Sequence, residues 1–222
     1  MIKSIIFKEW IKSRWALLII LLIFTGVTTY IFMNVSRGLR MAGGQHIWEM
    51  IVQKGITFSD YIKYIPLFAG IILALAQYLP EMANKRLKLT LHLPLKESKI
   101  MLSMLFYGLI SLLILFIIFY FVLYTGLNHY FCTQVAKWNT QEAQPWFLGG
   151  LIGYILTAWI CIEPVWKQRI LNSLIAISCI WLFYFNETPG AYSPLLFPLF
   201  ILIVASITFP FYSLIRFKDG EQ

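Results

Sequence analysis

From Ile100 to Thr125 the chain runs without a single charged side chain. One helical crossing of a bilayer needs ~20 apolar residues, and inside the bilayer a helix satisfies its own backbone N–H and C=O groups. This run is therefore expected to be a transmembrane helix, long enough to tilt or protrude. Further apolar runs lie at approximately 15–35, 61–80, 146–166, 170–186 and 192–215. The expected fold is an all-α membrane protein with six transmembrane helices, a single domain over residues 1–222. Composition leads the same way, since 59% of the residues are hydrophobic and only 13% charged. Soluble domains carry about a quarter charged residues, and one soluble core could not hide this apolar excess.

Ahead of the first run, Ile2–Arg14 is amphipathic. Ile2, Ile5, Ile6, Trp10 and Ile11 share one helical face, and Lys3, Lys8, Glu9 and Lys12 share another. Such a segment is expected to lie in the membrane interface, apolar face down; the competing reading is a basic flank that only fixes orientation. Ser36–Asp60 reads as a polar connection, loosened by Gly38, Gly43 and Gly44, with a short helix marked by Ile47, Trp48, Ile51 and Val52. Asn128–Pro145 reads as a second connection. In the fourth run Gly149, Gly150 and Gly153 permit close helix approach. At its end Glu163 is expected to make a surface ion pair with Lys167, four residues on. Gln77 is expected to snorkel or to bond a neighbouring helix. Pro194, Pro198 and Pro210 predict kinks in the last run.

The 18 Lys and Arg residues distribute unevenly. Thirteen fall before the first run, between the second and third, between the fourth and fifth, and after the sixth; the other five are Arg37, Arg40, Lys54 and Lys137 in the opposite connections and Lys63 at the start of the second run. By the positive-inside tendency both termini and the Pro80–Lys99 segment are cytoplasmic. The formal charge of +8 thus reads as topology and attraction to anionic lipid rather than as nucleic-acid binding.

Sequence signatures of catalysis are missing. There is no HExxH, no GxSxG, no paired-cysteine metal motif and no GxxxxGK[ST] phosphate loop. Cys132, Cys161 and Cys179 form no CxxC pair, and His46, His92 and His129 sit in three different connections. The chain is expected not to be an enzyme and to carry no cofactor or metal.

The densest charge lies in Pro80–Lys99, which holds Lys85, Arg86, Lys88, Lys96 and Lys99, and where Leu87, Leu89, Leu91 and Leu93 alternate with Lys88, Thr90 and His92. Pro80 suits the first turn of a helix, and Glu81 would face that helix's positive end. Pro94 would stop it, because proline disfavours α geometry at the residue before it. The strand-like alternation of leucines runs against a simple helix. By composition alone, such a segment sets orientation and binds anionic lipid.

A span ending in Pro80-Glu81, a basic stretch, the Leu93-Pro94-Leu95 turn and a new span from Ser98-Lys99-Ile100 resemble the first cytoplasmic loop of ABC-2-type permeases. Ile2–Arg14, with Ile6, Trp10 and Arg14, is similar to that family's N-terminal interfacial elbow. The resemblance implies a membrane subunit of an ATP-binding-cassette exporter in the bacterial cytoplasmic membrane. The loop would then be a coupling helix docked on a separate ATPase subunit, which alone binds ATP. Glu81 would anchor its start, Asn84, Lys85, Arg86 and Lys88 would contact the ATPase, and Pro94 would end it. A second permease copy would complete the unit. The sequence departs from the family in its brief Asn186–Ser193 connection, where members often carry a re-entrant element. The alternative reading is a membrane scaffold or assembly factor that transports nothing.

Overall fold

The computed structural model describes residues 2–54, 59–83, 96–185 and 191–219, and every element among them is helical. Seven α-helices follow one another: α1 (Ile2–Lys54), α2 (Ile65–Ala83), α3 (Glu97–Tyr130), α4 (Thr133–Ile162), α5 (Trp166–Trp181), α6 (Leu196–Ser206) and α7 (Phe209–Asp219). Short 3-10 turns, Ser59–Ile62 and Ser193–Leu195, lead into α2 and α6. Five segments are long and apolar enough to cross a membrane: Lys3–Met41, Asp60–Ala83, Glu97–Tyr130, Thr133–Ile162 and Ser193–Lys218. The last includes the step from α6 to α7. A chain with five such helices is a membrane protein by composition and length.

The fifth expected span corresponds to α5, which has 16 residues. At 1.5 Å per residue it reaches about 24 Å, short of a hydrocarbon core ~30 Å thick. Six full-length spans are therefore not what the described residues form.

Two expected connections are helical instead. α1 continues past Val35 and bends only at Gly43 (φ 76, ψ 157), a conformation that glycine tolerates without steric cost. The short helix expected around Ile47–Val52 is present beyond that bend. Asn128–Pro145 shrinks to Phe131–Cys132, because α4 starts at Thr133. There the polar residues Asn139, Thr140 and Glu142 are buried, so they belong to a packed helix rather than to a solvated link. Asn139 and Thr140 donate to the Val135 and Ala136 carbonyls one turn back.

Nor is Ile2–Arg14 a separate in-plane helix, since α1 passes through Arg14 and Trp15 without a break. Its buried stripe is Ile5, Glu9, Ser13, Ala16 and Ile20, while Ile6, Trp10 and Ile11 face outward. Glu9 of the polar face and Ile5 of the apolar one turn towards the protein, and the rest of the apolar face described is outward.

α4 is the centre of the bundle and packs on α2, α3, α5, α6 and α7. In its apolar stretch 67% of residues are buried, against 28% in α1 and α3, which face the lipid. The α2–α4 contact depends on glycine. A Cβ on Gly150 would stand 2.5 Å from the Pro66 carbonyl oxygen and 2.8 Å from Phe116 Cζ, and one on Gly153 would stand 2.7 Å from Leu67. Gly70 meets the Gly150 backbone from the opposite side. The expected close approach is thus made at Gly150 and Gly153, while Gly149 faces Tyr184. On the lipid-facing side, a groove of about 1030 Å³ runs between α1 and α3, from Trp10 and Arg14 to Phe32.

Candidate functional site

Pro80 lies inside α2, which continues to Ala83. Glu81 therefore stands within α2 rather than in the first turn of a new helix. A buried carboxylate there needs cations close by. Two come from α1. Lys12 Nζ donates to Glu81 Oε1 at 2.8 Å, and Lys8 Nζ lies 2.9 Å from the same oxygen. Lys12 also pairs with Glu9 Oε1 at 2.6 Å and approaches the Gln77 carbonyl at 3.4 Å. Its side chain is only 15% exposed, and those of Glu9 and Glu81 are at 0% and 1%. Two carboxylates and two ammonium groups thus balance within one cluster, three of them almost wholly removed from water.

Polar contacts continue inward from this cluster. Ser13 Oγ donates to the Glu9 carbonyl (2.8 Å) and lies 2.7 Å from the Tyr107 hydroxyl of α3. Gln77, one turn before Glu81, donates through Nε2 to the Met104 carbonyl of α3 at 2.8 Å. Its Oε1 accepts from the Tyr154 hydroxyl of α4 at 2.7 Å. Of the two expected roles for Gln77, bonding neighbouring helices is the one observed. The side chain is fully buried and joins α2, α3 and α4. Gly108 makes room for this tyrosine, because a Cβ there would collide with the Tyr154 hydroxyl.

A second buried carboxylate closes the same end of the bundle. Glu163 caps α4 in an extended conformation (φ −62, ψ 121), as expected of a residue before proline. It is buried, and Lys167 is not its partner, so the expected surface ion pair is not formed. Glu163 Oε2 instead accepts from Ser213 Oγ (2.5 Å) and from Asn172 Nδ2 (3.4 Å). Arg216 Nη1 lies 3.6 Å from Oε1, and Arg169 Nη2 donates to the Glu163 carbonyl at 2.7 Å. One residue thereby gathers α4, α5 and α7. Nearby, Glu97 at the start of α3 pairs with Lys218 of α7 at 2.9 Å.

Of the residues expected to dock an ATPase, Glu81 is in the first cluster. Asn84, Lys85, Arg86, Lys88 and Pro94 lie outside the described residues. They follow Ala83 in the sequence and precede Lys96 and Glu97. The expected elbow residues Ile6, Trp10 and Arg14 are exposed on the outer face of α1, with Trp10 and Arg14 at one end of the lipid-facing groove. Sequence reasoning missed Lys8 and Lys12 as partners of Glu81, and Ser213 and Arg216 as partners of Glu163. One signal was available: Glu9 and Ser13 recur with Ile5, Ala16 and Ile20 at helical spacing, which places polar groups in an inward stripe.

These clusters can hold helix ends in register and pass a displacement from the root of the basic segment into the bundle. Among the described residues, no three His, Cys, Asp or Glu side chains are grouped to hold a metal ion. No family model matches the chain, nor does any curated protein or solved structure.

Proposed function

We propose that this chain is the permease subunit of an ATP-binding-cassette exporter in a bacterial cytoplasmic membrane, with both termini in the cytoplasm. In this reading the basic segment after Ala83 docks on a separate ATPase subunit, and two permease copies form the translocating unit. α5, with the turn that follows it, serves as a short sixth span.

The observation that carries the proposal is the buried Glu9–Lys12–Glu81 cluster at the root of that segment. A loop that merely set orientation would need no such anchor. Here α2 is clamped to α1 by charge, and through Gln77 to α3 and α4, immediately before the chain enters its most basic stretch. A push on the segment would move α2 against three neighbours at once. Burying ion pairs is costly, and their best-attested benefit is a fixed register or a switch.

Purification of the tagged chain from its native membrane in a gentle detergent tests the proposal. An ATP-binding subunit at a fixed ratio to the chain is the expected companion. Its consistent absence, with the chain still folded, leaves the scaffold reading in place.

A further inference from the structure

A cavity of about 960 Å³ opens where the ends of α2, α4 and α7 meet the first turn of α5. Its size is at the upper end of the ~300–1,000 Å³ typical of ligand pockets. Leu79, Met82, Ile160 and Phe217 supply apolar walls, and Lys167 and Arg169 are the cations that line it. Among the described residues, no carboxylate lines it.

Among the described residues, no carboxylate pairs with either cation. Arg169 spends Nη2 on the neutral Glu163 carbonyl and lies over the Trp166 ring at 5.0 Å. Its Nε is buried and meets no acceptor among the described residues. The nearby Glu163 carboxylate is turned away to Ser213, Asn172 and Arg216. Lys167 is exposed and makes no ion pair among the described residues. Both cations sit in the first turn of α5, which has no acidic residue and no side-chain cap. Positive charge at that end of a helix opposes the dipole, so the arrangement is unfavourable until an anion covers it. Trp166, at 73% exposure beside these cations, fits the headgroup level of a bilayer.

We infer that this cavity binds one anionic glycerophospholipid from the surrounding leaflet. The phosphate sits against Lys167 and the Arg169 guanidinium, and the acyl chains lie along Leu79, Met82 and Ile160. An amphipathic anion answers both halves of the cavity, the uncompensated cations and the apolar walls. The inference rests on the membrane nature of the chain and not on its having an ATPase partner.

Native mass spectrometry of the full chain in mild detergent tests it, with phosphatidylglycerol and phosphatidylcholine as probes. One phosphatidylglycerol per chain should be retained, and phosphatidylcholine should not. Lys167→Gln should weaken retention ~5-fold, as expected for losing one basic contact near a lipid headgroup. Lys167→Gln with Arg169→Gln should abolish it. Because Arg169 also bonds the Glu163 carbonyl, thermal unfolding confirms that the double variant is folded, and the single variant decides the matter if it is not. Lys3→Gln removes the same charge elsewhere and should leave retention unchanged. Equal loss with Lys3→Gln would mean diffuse attraction and overturn the inference. Displacement by millimolar inorganic phosphate would also overturn it, because the site would then be one for a soluble anion.

Discussion

Lys12 and Glu81 are 69 residues apart in the chain, and their side chains meet at 2.8 Å where α1 passes α2. The same ammonium holds Glu9 at 2.6 Å. One cation therefore bridges two buried acids on neighbouring helices, with Lys8 supplying the second positive charge.

Lys12→Met should destabilise the chain by ~3–5 kcal/mol, because it strands carboxylates that are out of water. Combining it with Glu9→Gln and Glu81→Gln should recover most of that loss. Lys8→Met, at a side chain 38% exposed, should cost only ~0–1 kcal/mol. Thermal unfolding of the purified variants in detergent separates the three outcomes. Equal effects of Lys8→Met and Lys12→Met would contradict the role given to Lys12.

Glycine positions divide sharply. Gly150→Ala places a methyl 2.5 Å from the Pro66 carbonyl oxygen and should cost ~1–3 kcal/mol by forcing α2 and α4 apart. Gly26→Ala meets nothing within 4 Å and should be neutral or stabilise by up to ~1 kcal/mol. Melting temperatures of the two variants, measured side by side, check the contrast.

At the other carboxylate, Ser213→Ala removes a hydrogen bond to a buried charged group and should cost ~1.5–3 kcal/mol. Lys167→Ala, measured in lipid-free detergent, should stay within ~0.5 kcal/mol of the unaltered chain. A large effect of Lys167→Ala and none of Ser213→Ala would restore the surface pair suggested by sequence.

Topology is testable with a native thiol. Cys132 is exposed between α3 and α4, at the far end from Glu81 and Glu163. A membrane-impermeant maleimide should label it in cells whose cytoplasmic membrane is accessible from outside. Lys96→Cys in a Cys132→Ser background should react only after the membrane is permeabilised. Reversed labelling would invert the orientation.

Five of the six expected spans were legible in the sequence because hydropathy reports what a helix shows to lipid. Their limits were not, because burial among protein neighbours follows other rules. Asn139, Thr140 and Glu142 look like loop residues by polarity, yet they are interior to α4. Pro80 looked like a helix start, but α2 carries on through it to Ala83. Glu81 was recognisable as important from its place beside the basic stretch. Its partners were not, because Lys8 and Lys12 are distant in sequence and resembled an orientation signal. Glu163 was misplaced for the same reason: Lys167 is its neighbour by spacing, whereas Ser213 and Arg216 reach it only through the packing of α7. Gln77 and Asn172, polar residues that could have lined a path, are both buried and committed to bonds within the chain.

The most direct measurement compares the subunits that co-purify with the unaltered chain and with a Lys85→Glu, Arg86→Glu, Lys88→Glu variant, each extracted in the same gentle detergent. The account predicts that an ATP-hydrolysing subunit accompanies the first and is lost from the second, while both chains unfold at the same temperature. Retention of that subunit by the charge-reversed variant, or its absence from both, would contradict docking through this segment.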